Sequence, residues 1–427
     1  MPDLSDQIRP RLETKRLSGL DLGPDAIHPY YEGLSILNLP ASICKWLGAP
    51  TLSHPPLDLP ELDGLVEGTR QIVVALIDAV SYERFRRWID KPSLELDPAA
   101  DNCLLAPLTS VVPSTTSAAL TTLWTGCSPA EHGVLGYELF LKEYGLVANM
   151  ITHAPMTFEG STGLLYKAGF QPDSALPVPT LGPHLENAGI EAHAFLHYAI
   201  SRSGLSRMHY AGVEMHTFGG APDLWISVRE LAEQRLECPR LIWVYYGGVD
   251  GLSHRYGPDS EQAEAEFISF IHVLLDNFVR RLSLETRRQT LLLLLTDHGQ
   301  INTQVDPNFE LRNHPSLVHR LHMLPTGENR LAYLYPRPGQ VKAIFEYFEQ
   351  TWPQAFSLMP SGQALKAGLF GPGTPAKVTP ERLGDLIAIS HGDAYLWWAS
   401  KANPLVGRHG GLSVEEMLVP LMAVRLG

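Results

Sequence analysis

Asp297 and His298 follow directly on five consecutive leucines, Leu291 to Leu295, and Thr296. An uncharged run of this kind reads as a strand buried on both faces, as in the middle of a parallel sheet. Ligands of open α/β sheets bind beyond the carboxyl ends of the strands. Two other strand-like runs end in the same way: residues 72–77 run into Asp78, and residues 241–246 run through Gly247-Gly248 to Asp250 and His254. A further histidine, His409, sits in Gly407-Arg408-His409-Gly410-Gly411, ahead of Ser413-Val414-Glu415-Glu416. That last spacing is a capping box and starts a short helix, which would hold the histidine in a rigid turn. Alone, Asp250 and His254 would more often be a cap and a surface histidine. Together with Asp78, Asp297, His298 and His409 they form the oxygen and nitrogen donor set of a metal site, suited to Zn²⁺ or Mn²⁺.

A nucleophile candidate lies in Val112-Pro113-Ser114-Thr115-Thr116-Ser117. A strand ends at the proline, and a helix is expected from about Thr116 until Gly126 ends it. A hydroxyl at a helix start is most often an N-cap. The same position faces free N–H groups and the positive end of the helix dipole, which suits an anion. Beside a metal ion such a hydroxyl becomes a usable nucleophile at neutral pH.

These groups need a scaffold that delivers strand ends to one edge. Strands are expected near 72–77, 104–112, 190–196, 241–246 and 291–295, alternating with helical stretches. The clearest helix, residues 261–282, places Phe267, Ile271, Leu274, Phe278 and Leu282 on one stripe. This alternation predicts an α/β fold, a mostly parallel central sheet with helices on both faces. Residues 1–67 are rich in proline and acid, with a helix at 40–47, and read as an N-terminal wrap. The catalytic core is expected over 68–312 and 380–427. Residues 313–379 read as a small α+β cap insertion, with strands at 330–335 and 356–359 and helices at 339–351 and 361–369. The chain then returns through 386–390 and 395–398 to a last strand at 418–426.

The bulk composition narrows the function further. A length of 427 residues calls for a large core with elaborations, and 44% hydrophobic with 19% charged residues excludes disorder as the main state. The net charge of −13 argues against a surface that coats nucleic acid, so an anionic substrate must be attracted locally, as by bound cations. Four scattered cysteines, no signal-like start and no long apolar run predict a reduced, cytoplasmic protein without a membrane span. Oligomeric state is not legible. His314, His319 and His322 read as surface or cap residues, and Tyr245 and Tyr246 as strand packing.

Pro113-Ser114-Thr115-Thr116, Thr125-Gly126 and Pro129-Ala130-Glu131-His132-Gly133 resemble the nucleophile region of type I phosphodiesterases/nucleotide pyrophosphatases, of the alkaline phosphatase superfamily. Residues 250–260, Thr296-Asp297-His298-Gly299 and His409-Gly410 resemble the remaining signatures, in the same order. The resemblance covers roughly 70–300 and 380–427. It implies an alkaline-phosphatase-like fold and two divalent ions, zinc or manganese. Asp250, His254 and His409 would hold one ion, and Asp78, Asp297, His298 and the Thr116 hydroxyl the other. It also implies that Thr116 attacks phosphorus and is transiently phosphorylated, in the hydrolysis of phosphodiester or phosphoanhydride bonds of a small substrate such as a nucleotide. Thr116 is favoured over Thr115 because it lies three residues after the proline and nine before Thr125.

One departure bears on the substrate. Where the family carries an asparagine that contacts the phosphoryl oxygen, this chain has Tyr137, whose phenol can donate one hydrogen bond. No arginine lies in 107–137 to meet a dianion, so a diester is the expected substrate over a monoester. A phosphonate or phosphomonoester hydrolase on the same site is the alternative. A metal-bound regulatory or binding protein without turnover is the second. Cys127-Ser128-Pro129-Ala130 suggests a sulfatase signature, but Glu131 stands where that signature needs arginine.

Overall fold

The computed structural model describes residues 3–94, 102–156 and 163–427. Its centre is a seven-stranded sheet in the order Cys103–Thr109, Leu418–Arg425, Thr290–Leu295, Gln71–Ile77, Arg240–Tyr246, Glu191–His197, Glu214–Phe218. Leu418–Arg425 runs antiparallel to both of its neighbours, and the other six strands run in one direction. The middle strands, Gln71–Ile77 and Thr290–Leu295, are buried along their whole length. That explains their composition: with no solvent face there is no alternation, and beyond the paired Gln71 and Thr290 at their starts every side chain is apolar.

Helices flank this sheet in two groups, and strand geometry shows that they cover opposite faces. Trp243 packs edge-on against Trp124 of the helix Thr116–Thr125, with ring centroids 5.2 Å apart. Tyr246 stacks on Phe270 of the helix Glu261–Asn277 at 4.2 Å. Residues three apart on a strand point to opposite faces. The long helix ends at Asn277, short of the expected Leu282, because the Phe278 backbone leaves helical geometry (φ −115°, ψ −75°). Phe278 and Leu282 are buried nonetheless, so the stripe reports burial beyond the helix itself. Near the N-terminus, Leu39–Leu47 is helical, and Ile8 and Leu12 of the helix Ser5–Thr14 join the main core.

A second sheet, wholly antiparallel, has the order Phe356–Pro360, Leu386–Ser390, Leu331–Leu334, Thr326–Glu328, Glu138–Leu141, Leu146–Asn149, Ala154–Pro155. Strands of the 313–379 segment thus pair with strands on both sides of it. The change of character at 313 and 379 is real in the sequence, but sheet pairing crosses both positions. Apolar patterning announces that Leu331–Leu334 is buried; it does not name its partners. The 395–398 stretch forms no strand. It is held through Trp397, bridged to Glu310, and through Tyr395, over which the Arg408 guanidinium lies 3.8 Å from the ring centroid. His314 stands at the N-terminal cap position of the short helix Pro315–Val318, in line with the cap role expected of it, but it is buried among Trp352 and Tyr347 rather than at the surface, and its Nδ1 meets the Tyr347 hydroxyl at 2.7 Å. His319 and His322 are exposed.

Candidate metal centre

Asp78 follows the strand Gln71–Ile77, and Asp297 and His298 follow the adjacent strand Thr290–Leu295, so parallel pairing alone brings the three together. His298 Nε2 lies 3.3 Å from Asp78 Oδ1 and 3.7 Å from Asp297 Oδ2. All three side chains are at most 2% exposed. Asp297 Oδ1 accepts from the N–H groups of Ala79, at 3.3 Å, and His298, at 3.0 Å. A side chain on Gly299 would meet the Glu415 carbonyl at 2.0 Å, so only glycine fits directly after this pair.

The second set is built differently. Asp250 and His254 stand one turn apart on the helix Gly248–Tyr256, with His254 Nε2 3.3 Å from Asp250 Oδ1. His409 completes the set from its glycine turn and stacks on His298 with centroids 4.0 Å apart. That turn is anchored from below. Glu416 accepts the Gly411 N–H at 2.8 Å and pairs in two-pronged fashion with Arg330, both contacts 2.9 Å and both side chains fully buried.

Three histidines share one device. His298 Nδ1 lies 3.0 Å from the Gly299 carbonyl, His254 Nδ1 2.9 Å from that of Gly407, and His409 Nδ1 3.2 Å from that of Ser114. A carbonyl only accepts, so each Nδ1 carries the proton and each Nε2 keeps its lone pair. This is how metal-ligating imidazoles are oriented.

Thr116 opens its helix and is half-buried. Its hydroxyl lies 3.1 Å from His298 Nε2 and 3.4 Å from Asp78 Oδ2. Thr115 takes the capping position instead, in extended conformation and 2% exposed. Tyr137 is 41% exposed, its phenol faces Asn149, and its N–H donates to Glu328 Oε1 at 2.7 Å.

The electrostatics are those of a centre built for cations. Burial, then the charges of Asp297 and Asp250, push the Asp78 carboxyl well above its ordinary range, and burial pushes Asp297 up as well. Asp78 Oδ1 and Asp297 Oδ2 are buried without a hydrogen-bond donor. Among the described residues no lysine or arginine pairs with either; their ion-pair partner is His298. Two adjacent buried carboxylates are unstable together unless a cation joins them. Burial, followed by the neighbouring His298 and His254, holds His409 well below its ordinary value, hence neutral. The donor sets fit two divalent ions.

Three residues in contact with the centre escaped the sequence reading. Tyr245, expected as strand packing, donates its hydroxyl to Asp78 Oδ2. The continuously buried run that marks a core tyrosine hides where its ring ends. Tyr246 likewise bonds Glu266. Gln300 donates Nε2 to Asp250 Oδ1 at 2.5 Å; lying three residues past Asp297, it could have been suspected. Glu328 comes from the second sheet, is 8% exposed, reaches the Thr115 side chain and is pushed up to about 8 by burial. No local signal marks it. Cys127 is half-buried, with its thiol pushed up to about 11 by burial, a poor nucleophile.

Beside the centre, at the carboxyl ends of the outer strands, lies a cavity of about 410 Å³ lined by His197, Phe218, Tyr245 and the glycine pairs 219–220 and 247–248. A small neighbouring pocket joins Tyr245 to Thr116. Among the described residues no helix is long and apolar enough to cross a membrane.

The family model of type I phosphodiesterase / nucleotide pyrophosphatase matches residues 72–412. Among solved structures, murine ectonucleotide pyrophosphatase/phosphodiesterase 5 superposes with a TM-score of 0.61 at 14% identity, over 83% of this chain and 88% of that one. An inactive form of that protein has been solved in complex with AMP. Phosphonoacetate hydrolase from Sinorhizobium meliloti 1021, in complex with phosphonoformate, superposes with a TM-score of 0.59 at 17% identity, over 83% and 89% of the two chains. A search of curated proteins gives no match.

Proposed function

The chain belongs to the type I phosphodiesterase/nucleotide pyrophosphatase family, a family of phosphoric ester hydrolases, and we propose that it hydrolyses phosphodiester or phosphoanhydride bonds through Thr116. The observation that carries this reading is the shared orientation of three histidines, each with its Nε2 lone pair available, around two acid sets and one hydroxyl. Asp78, Asp297 and His298 would hold one ion beside Thr116, and Asp250, His254 and His409 a second; zinc suits this nitrogen and oxygen set. When bound, the ions supply the positive charge that makes the hydroxyl a nucleophile and stabilises the phosphoryl oxygens. Thr116 Oγ1 forms the bond to phosphorus as the bond to the leaving oxygen breaks, and water then hydrolyses the phospho-threonine. The first N–H groups of its helix favour the anion. Tyr137 stands in for the amide donor expected at the phosphoryl oxygen.

The cavity beside Tyr245 has the size of a small-ligand site and would take the leaving group, such as a nucleoside. Among the described residues no lysine or arginine bonds any of the eight proposed site residues, which favours a singly charged phosphoryl centre. The expected order of kcat/KM is therefore bis(p-nitrophenyl) phosphate above p-nitrophenyl phosphate and phosphonoacetate. Thr116→Ala should keep both ions and lose about 10⁴-fold or more in kcat, and quenched wild-type enzyme should carry phosphate on Thr116. An inactive Thr115→Ala beside an active Thr116→Ala would refute the assignment. A preference for the monoester or phosphonoacetate would leave Thr116 in place and move the substrate.

A further inference from the structure

A second group of metal-type donors lies outside the centre. The strands Glu191–His197 and Glu214–Phe218 pair in parallel with His193 opposite Glu214 and Phe195 opposite His216, so these four side chains share one face. His193 Nδ1 lies 3.1 Å from His216 Nε2 and 3.6 Å from Glu214 Oε2, and His216 Nε2 lies 3.7 Å from Glu214 Oε1. Ligands bound tetrahedrally to zinc by bonds of about 2.0–2.1 Å sit about 3.3 Å apart, so the two nitrogens and the glutamate carboxylate, which turns one oxygen to each ring, already stand near the spacing an ion imposes. From these distances we propose that His193, Glu214 and His216 form a third metal site, for zinc or a similar imidazole-binding divalent ion, at the open edge of the central sheet.

Three observations favour an ion over a chance meeting of side chains. His193 is nine-tenths buried, and its far nitrogen, Nε2, has no hydrogen-bond partner. The Glu191 carboxylate stands 3.9 Å from that nitrogen and is itself fixed by Arg240 at 2.8 Å. A carboxylate behind the non-ligating nitrogen is the usual support of a bound imidazole. The second ring is also held in place: Phe195 stacks on His216 with centroids 4.5 Å apart and planes 14° from parallel.

The site is separate from the catalytic centre. His193 lies level with Ile242 and Glu214 begins its strand, whereas the catalytic donors follow the opposite, carboxyl ends. Its consequence would be mechanical. Among the described residues Glu214–Phe218 is the last strand of the sheet and has one side unpaired, and an ion shared with the neighbouring strand would clamp it.

Zinc counting tests this on the loaded enzyme. Elemental analysis and calorimetric titration with Zn²⁺ should give one more ion per chain in wild type than in His216→Ala. Glu214→Gln should weaken that extra ion at least tenfold. Both variants should hydrolyse bis(p-nitrophenyl) phosphate at the wild-type rate, and both should lose a zinc-dependent rise of a few degrees in thermal midpoint. Equal zinc counts in wild type and His216→Ala overturn the proposal, as does a wild-type affinity for the extra ion that Glu214→Gln leaves unchanged. The catalytic reading fails separately: if that centre holds fewer ions, both counts fall together and their difference of one remains.

Discussion

The two halves of the catalytic centre hold the same kinds of donor in opposite surroundings. Asp78, Asp297 and His298 are 0–2% exposed, whereas Asp250 and His254 are 22% and 26% exposed. The difference follows from the elements that carry them. Ends of two central strands are sealed by the chain above, while one face of a short helix opens to solvent. The closed half therefore depends on its ion, because among the described residues no lysine or arginine pairs with its two carboxylates. Water and Gln300 can serve the open half when its ion leaves. On the proposed reading, one ion belongs to the folded core and the other would exchange with solution.

The sharpest way to break this contrast is to remove the metals. A chelator should act in two phases. The first ion leaves from the Asp250 side, and the rate on bis(p-nitrophenyl) phosphate drops by at least about 100-fold, since both ions contribute to the reaction. The thermal midpoint should hardly move in that phase. The second, slower phase should lower the midpoint by several degrees as Asp78 and Asp297 are left facing each other. Asp250→Asn should reproduce the first phase and Asp78→Asn abolish the second. A midpoint that falls with the first ion would show that burial does not divide the two halves.

The same contrast explains what could be read from the chain. Strand-end residues were legible because a fully apolar run has one reading: Asp78, Asp297 and His298 had to lie at the edge of a buried parallel sheet. Asp250 and His254 were legible as a pair, although their four-residue spacing left helix and loop both open; the structure chose the helix. Tyr245 was legible as strand packing and is buried in its strand, but burial along the run does not say that its hydroxyl emerges at Asp78. Glu328 was invisible. It reaches the centre through antiparallel pairing of strands nearly two hundred residues apart, and that register is carried by no short pattern. For the same reason the 313–379 segment looked self-contained, and the His193 group, spread over two strands, passed unnoticed.

A smaller effect separates the groups behind each half. Tyr245→Phe deletes the donor to the buried Asp78 and should loosen zinc and lower kcat by about 10-fold or more. Gln300→Ala deletes the donor to Asp250 on the open side, where water can enter, and should cost less. Equal losses in the two variants would mean that the open half is dry in the working enzyme.

The smallest expected effect comes from Glu328, which ties the second sheet to both Thr115, the residue before the nucleophile, and the His409 turn. Its carboxylate accepts the Tyr137 N–H at 2.7 Å, and its Cβ would stand 2.5 Å from a side chain placed on Gly410. Burial pushes this carboxyl up from the ordinary 4.5 to about 8. In metal-free protein the folded chain therefore keeps the proton at pH values where the unfolded chain has released it. Stability associated with this group is complete below pH 4.5, falls as pH rises through the window between those two values, and is level above about 8. Glu328→Gln cannot ionise but keeps an oxygen for the Tyr137 N–H. Thermal midpoints of the two metal-free proteins should coincide near pH 4.5, and the variant should become the more stable by a few degrees at pH 8–9, with kcat of the zinc-loaded forms little changed. Midpoints that run parallel across that whole range would mean that Glu328 is ionised in the fold, and that a cation or water, rather than a proton, satisfies it there.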